Sequence, residues 1–176
     1  FGTYLMTRYV SKFMIEKKQG KIINLAGGGA LSPFKNYSSY AVSKAGVVRF
    51  TDTIAEELKQ FNIQVFAISP GFVNTRFHQQ TLKTDPKIVG EEFYQKTKDV
   101  VDDGKGAASP VLAAECALYL AEECAVELSG KVFSAVYDDY KNLNNKLDDI
   151  IQLDLFSMRR IDEVVINKIK KYYYSK

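Results

Sequence analysis

Histidine, cysteine and proline are scarce: the 176 residues include one His, two Cys and four Pro. The single imidazole, His78, excludes any site that needs two of them. Cys116 and Cys124 lie on or near one predicted helix, and two thiols supply neither a disulfide framework nor a zinc-ligand cluster. Both are expected to be buried or half-buried in a reducing compartment, and no metal is expected. No apolar run approaches the roughly 18–20 residues of a membrane-crossing helix. Nothing at the start reads as a signal peptide, and repeats and low-complexity tracts are absent. These absences predict a soluble, cytoplasmic protein without a membrane partner, and a hydrophobic content of 46% is ample for a packed core.

An excess of positive charge is missing from most of the chain. The net charge is +3, yet Arg159 to Lys176 hold six Lys or Arg against Asp162 and Glu163, a sum of +4, so the other 158 residues sum to −1. Basic and aromatic residues are not interleaved elsewhere. The basic end is read as a solvated tail, and nucleic acid is not expected as a partner.

What is present is an alternation of helical and strand patterns. Thr3 to Lys18 has helical spacing, with Leu5, Tyr9, Phe13 and Met14 toward one side and Gly20 as its stop. Lys21 to Ala26 is short and apolar, as a buried parallel strand is. Gly27-Gly28-Gly29 breaks regularity, and Ser38 or Ser39 is placed to cap a long helix to about Gln60. Ile63 to Ile68 is a second buried strand, closed by Pro70-Gly71. Strand, helix, strand is a βαβ unit with a parallel sheet. Asp85-Pro86 and Ser109-Pro110 open helices to about Val101 and Glu122. Lys131 to Tyr137 is a third strand, and Asn142 to Ile151 and Arg160 to Lys171 are helical. The fold class is α/β: a partial doubly wound, Rossmann-type parallel sheet with about three strands and flanking helices, few for that architecture.

Tyr40-Ala41-Val42-Ser43-Lys44 carries the chemistry. An i, i+4 spacing puts phenol and ammonium on one helix face, about one turn apart. A nearby cation favours phenolate, so Tyr40 is expected below its ordinary value of about 10 and able to exchange a proton with an alcohol or carbonyl near neutral pH. By itself the spacing fits equally well an aromatic packed under a lysine stem.

The surroundings decide between the two. Gly20-Lys21-Ile22-Ile23-Asn24-Leu25, Ala45-Gly46, Ile68-Ser69-Pro70-Gly71-Phe72-Val73-Asn74-Thr75 and Leu128-Ser129-Gly130-Lys131-Val132 resemble short-chain dehydrogenase/reductase sequence in that family's order and spacing, from Phe1 to about Val136. The resemblance implies an oxidoreductase that moves hydride between NAD or NADP and a carbonyl or secondary alcohol. Tyr40 would be its acid/base, and Lys44 would hold the nicotinamide ribose and lower the Tyr40 pKa. Pro70, Gly71 and Val73 would border the nicotinamide, with the Val73 backbone on its carboxamide and Thr75 nearby. It further implies residues 1–140 as the C-terminal part of the family domain and 141–176 as a helical, basic extension of it. A homo-oligomer through helices 3–18 and 39–60 is also implied.

Two departures qualify the resemblance. Thirteen residues before Tyr40, where the family has a substrate-binding serine, stands Gly27. Losing such a donor costs on the order of 10²–10³ in rate. Backbone N–H groups of Gly27, Gly28 and Gly29, at positive φ, offer a replacement nest; otherwise the glycines leave room for a bulky substrate. Replacing Gly27 by Ser is expected to leave or raise turnover, unless a nest is in use. The alternative reading, from a different class, is a non-catalytic binding or regulatory relative that has lost the serine. Second, no Gly-x-Gly-x-x-Gly or Gly-x-x-x-Gly-x-Gly follows a strand. The expectation is a partial sequence, inactive and prone to aggregate alone. His78 and Arg76 fall in the region that covers substrate in the family. His78 is read as a surface loop residue or a substrate contact.

Overall fold

Three apolar runs become strands: β1 Gly20–Leu25, β2 Ile63–Ser69 and β3 Val132–Ser134. The computed structural model describes residues 1–174 and joins the strands in one parallel sheet of order β1-β2-β3. β1 pairs with β2 from Gly20 opposite Ile63 to Leu25 opposite Ile68, and β3 pairs with the end of β2 from Ala67 opposite Val132. Every residue of β2 from Ile63 to Ile68 is buried, which explains why all but Gln64 are apolar: both faces of a central parallel strand are covered. Among the described residues the outer edge of β1 pairs with no strand, and Leu25 at its end is exposed. The one charge on β1, Lys21, is tied down, its Nζ donating to the Leu120 carbonyl.

The two faces of β2 sort the helices into layers. Ile63 and Val65 pack with Ile22 and with α1 (Gly2–Lys17) and α2 (Ser38–Leu58), through Val10, Met14, Ala55 and Leu58. Phe66 and Ile68 face the other way, onto Cys116 and Leu120 of α6 (Pro110–Glu122). That core continues through Leu143 to Ile150 of α7 (Leu147–Leu153), so part of the C-terminal extension is packed into it. Asn24 Nδ2 donates to Thr51 Oγ1 at 2.9 Å, a buried bond that fixes β1 against α2. Both thiols are buried, and burial pushes Cys116 up to about 12 and Cys124 up to about 11.

Several boundaries differ from the sequence reading, each for a local reason. α2 starts at Ser38, with Tyr37 at the cap position and no side chain closing it. Asp85 and Ser109 do cap, their side chains accepting from the Lys87 and Val111 N–H. The helix expected from Asp85 to Val101 is two, α4 (Pro86–Val89) and α5 (Glu91–Asp102), because Gly90 at φ 92° leaves the helical region. A short helix, α3 (Arg76–Thr81), precedes them. β3 stops at Ser134, where Ser134 Oγ accepts the Val136 and Tyr137 N–H and turns the chain. Two 3₁₀ turns precede α7, and α8 (Glu163–Tyr174) begins where Asp162 accepts the Val165 N–H. Of the basic tail, Ser175 and Lys176 lie outside the described residues. On α1, Tyr9 and Phe13 point outward and Thr7 and Ser11 inward, so only Met14 of the expected apolar side joins the core, together with Val10 and Ile15. Among the described residues no helix is long and apolar enough to cross a membrane.

Candidate active site

The motif residues gather at the C-terminal ends of β1 and β2, where open α/β sheets bind ligands. After β1 the chain makes a β-turn closed by the Ala30 N–H on the Gly27 carbonyl at 3.2 Å. Its third residue, Gly29, has φ 80°, and a β-carbon there would lie 2.9 Å from Phe34 Cβ and 3.0 Å from Ala41 Cβ. Glycine thus lets the turn lie directly on the start of α2. Of the three glycines only Gly29 takes positive φ.

α2 presents Tyr40 and Lys44 to this turn. A β-carbon placed on Gly27 lies 2.7 Å from Tyr40 Oη and 3.6 Å from Lys44 Cε, so the two side chains converge on one point. Lys44 Nζ donates to the Leu25 carbonyl at 3.0 Å and stands 5.8 Å from the Tyr40 ring centroid. The Tyr40 pKa corrects the sequence reading. Burial raises it above the ordinary tyrosine value; burial also lowers Lys44. Tyr40 is therefore a neutral phenol across the physiological range, with an O–H able to donate.

Gly27 is tight against that donor. Substituting Ala there is expected to push the Tyr40 hydroxyl aside and lower turnover of a Tyr40-dependent reaction by about ten- to a hundredfold, as misplacement by an ångström does. Gly27→Ser carries the same crowding with a hydroxyl added, so, against the sequence expectation that it leaves or raises turnover, it is expected to fall between Ala and Gly. The kcat values of the three proteins check this, and equal values for Gly and Ala would refute the crowding.

After β2, Gly71 has φ 83°, and a β-carbon there would overlap Val136 Cγ2 and lie 3.0 Å from Ala108 Cβ. The Val73 N–H returns to the Gly71 carbonyl at 3.2 Å. His78 is not a surface residue: it is 8% exposed on α3, its ring stacked on Phe72 at 4.1 Å. Its Nδ1 lies 3.4 Å from Thr75 Oγ1, and the ring hydrogen-bonds the Val73 backbone. His78 thus braces Val73 and Thr75 in one turn. Arg76 is exposed.

Burial lowers the His78 pKa, opposed in part by the bond to Val73. The unfolded chain, with an ordinary histidine near 6.5, then takes the proton first as pH falls. The stability contributed by neutral His78 is full above about pH 6.5 and is lost below it. Being the only histidine, it gives the only imidazole signals in an NMR spectrum. Its titration midpoint is expected below 6.5, and the melting temperature should fall more between about pH 6.5 and 5 than in His78→Asn; a midpoint at or above 6.5 would contradict the bracing.

Six further observations concern what surrounds Tyr40. Its ring stacks on Phe77 at 5.0 Å and meets Phe34 edge-on at 6.0 Å. Phe34 stacks on Tyr37 at 4.5 Å and meets Phe93 of α5 at 4.8 Å. Phe93 lies 5.9 Å from Phe72. Tyr37 Oη is bonded to Thr81 Oγ1 at 3.0 Å, tying α3 to α2. The individual residues carried no signal for this in the sequence, since the rings come from four separate segments. A groove of about 590 Å³ elsewhere, between α2 and residues 154–159, contains neither Tyr40 nor Lys44. Its charges satisfy one another, Arg49 with Asp52 and Lys131 with Asp154, each at 2.5 Å. Among the described residues no group of three or more metal-ligating side chains occurs.

A parallel α/β sheet carrying a Tyr-x-x-x-Lys pair at its C-terminal edge defines a Rossmann-type class. Within that class the model of the short-chain dehydrogenase family matches residues 1–86 of the chain. It is similar to a 3-oxoacyl-[acyl-carrier-protein] reductase, FabG, of Aquifex aeolicus, 30% identical over 131 residues, which are 74% of this chain and 49% of that protein. It is also similar to the 3-oxoacyl-[acyl-carrier-protein] reductase of Synechocystis, 39% identical over 74 residues, 42% of this chain and 30% of that protein. Among solved structures it resembles ElxO with NADP bound, at 25% identity and a TM-score of 0.59, covering 76% of this chain and 52% of that one. The chain spans about half the length, or less, of these relatives.

Proposed function

We propose that these residues form the proton-donating and nicotinamide-facing half of an NAD- or NADP-dependent oxidoreductase that reduces a carbonyl to a secondary alcohol. The observation that carries this reading is the convergence of Tyr40 Oη and Lys44 Cε on one point at Gly27, at 2.7 and 3.6 Å. A bound reduced nicotinamide supplies the hydride, two electrons with a proton, that turns the carbonyl carbon into a carbinol. Tyr40 gives its phenolic proton to the oxygen as the C=O π pair moves there, and solvent restores the phenol. Lys44 has three donors; Leu25 takes one, and two are left for the vicinal hydroxyls of a ribose. Pro70, Gly71, Val73 and Thr75, the last two braced by His78, wall the ring's side of the site. NADP bound to the similar ElxO supports the choice of cofactor class.

The 176 residues hold no glycine-rich dinucleotide loop, so by themselves they bind the pyrophosphate weakly. Outward Tyr4, Met6, Tyr9 and Phe13 on α1 support self-association through α1 and α2. The competing reading, a non-catalytic relative, draws its support from Gly27 at the serine's place.

The test uses NADH or NADPH deuterated at the transferring position, a panel of ketones, and the polypeptide that carries these residues. Deuterium is expected on the carbinol carbon, and Lys44→Met should weaken cofactor binding at least tenfold. A panel that yields no labelled alcohol sinks the oxidoreductase reading.

A further inference from the structure

Tyr40 sits among aromatic rings rather than polar side chains. Five of them, Phe34, Tyr37, Phe72, Phe77 and Phe93, reach it or one another at centroid distances of 4.5 to 6.0 Å. They come from the loop before α2, the turn after β2, α3 and α5. Core rings of this protein, Phe66 and Phe133, are 0% exposed, whereas all five of these stay partly open to solvent. Close packing explains the first pair. It does not explain why a cluster that interlocks this well leaves every member partly open beside the proton donor.

The polar groups in the wall are already engaged. Tyr37 Oη is bonded to Thr81, and the His78 ring to Val73 and Thr75. A polyol or hydroxy acid entering here would leave water without gaining partners for its hydroxyls. Ring faces, in contrast, have their negative quadrupole and flat area available for stacking. The turn beside Tyr40 leaves room: Gly28 is exposed, and a β-carbon there would meet no atom within 4 Å.

We propose that this aromatic wall selects the substrate, which is an uncharged carbonyl compound or secondary alcohol whose reacting carbon belongs to, or adjoins, a flat ring system. The assignment rests on the oxidoreductase reading for Tyr40. Phe77, stacked on the Tyr40 ring, and Phe34, edge-on to it, make the specificity-determining contacts.

The test pairs two probes, the bicyclic aryl ketone 1-tetralone and the open-chain polyol acid gluconate. Their dissociation constants are measured by ligand-observed NMR, without cofactor, on the wild type and on Phe77→Ala and Phe34→Ala. Tetralone is expected to bind at least tenfold more tightly than gluconate, and each substitution should weaken tetralone about tenfold while leaving gluconate unchanged. If an Ala variant loses its cooperative melting transition, Phe77→Leu, which keeps apolar volume and removes the ring, is expected to weaken tetralone similarly. Equal binding of the two probes, or tetralone binding within twofold of wild type in folded variants, overturns the proposal. A second arm follows NAD(P)H consumption. Consumption with gluconate in preference to tetralone overturns the ring preference and leaves the oxidoreductase reading in place. Ring-dependent tetralone binding with no NAD(P)H consumption by any ketone overturns the oxidoreductase reading and leaves only a ring-binding site.

Discussion

Tyr40→Phe is expected to lower carbonyl reduction by a factor of about 10³, within the 10²–10⁴ that a positioned general acid contributes. The substitution is clean because of the ring's surroundings. Phenylalanine keeps the stack on Phe77 and the edge contact with Phe34, and it removes only the oxygen that crowds Gly27. Its melting temperature should stay close to wild type, which separates lost chemistry from lost folding. The pH dependence adds a second readout. Because burial raises the Tyr40 pKa and the protonated form is the donor, kcat/KM for reduction is expected to hold through neutrality and to fall only above about pH 10. Turnover within threefold of wild type in Tyr40→Phe would remove Tyr40 from the reaction.

The second large effect is on stability. Gly71→Ala places a side chain at φ 83°, where a strained residue costs about 1–3 kcal/mol. The new methyl also overlaps Val136 Cγ2 and crowds Ala108, and overpacking costs about 1–3 kcal/mol more. A combined loss of about 3 kcal/mol is expected in urea unfolding. Shortening the obstacle, as Gly71→Ala with Val136→Ala, relieves the overlap but not the backbone strain, so it should recover roughly half. A loss below about 1 kcal/mol for the single substitution would mean that the turn relaxes freely. That outcome would also undercut Gly71 as a rigid border of the site.

Much of this architecture was legible in the residues. Short, mostly apolar runs marked β1 and β2, and Asp85-Pro86 and Ser109-Pro110 marked two helix starts that form as read. Tyr40 and Lys44 were placed on one helix face by spacing alone, and they do converge. Spacing says nothing about where an ammonium turns once folded, so the bond to Leu25 and the upward shift of Tyr40 were out of reach. The same limit hid the fate of His78. Only folding brings Phe72 beneath its ring and Thr75 and Val73 to its nitrogens. A glycine inside a helical pattern is often tolerated, so the break at Gly90, with φ 92°, was not legible there. The ring enclosure was least legible, since residues 34 to 93 become neighbours only in three dimensions.

The outer margin of β1 sets how this polypeptide goes wrong. Its main-chain groups from Gly20 to Leu25 form a ladder rail awaiting rungs, with no proline and no free charge to discourage a newcomer. Any extended segment of matching length zips onto it, and in crowded solution the most abundant such segment is β1 of an identical molecule. Strand-by-strand polymerisation, rather than collapse of the interior, is therefore the expected path by which concentrated samples leave solution.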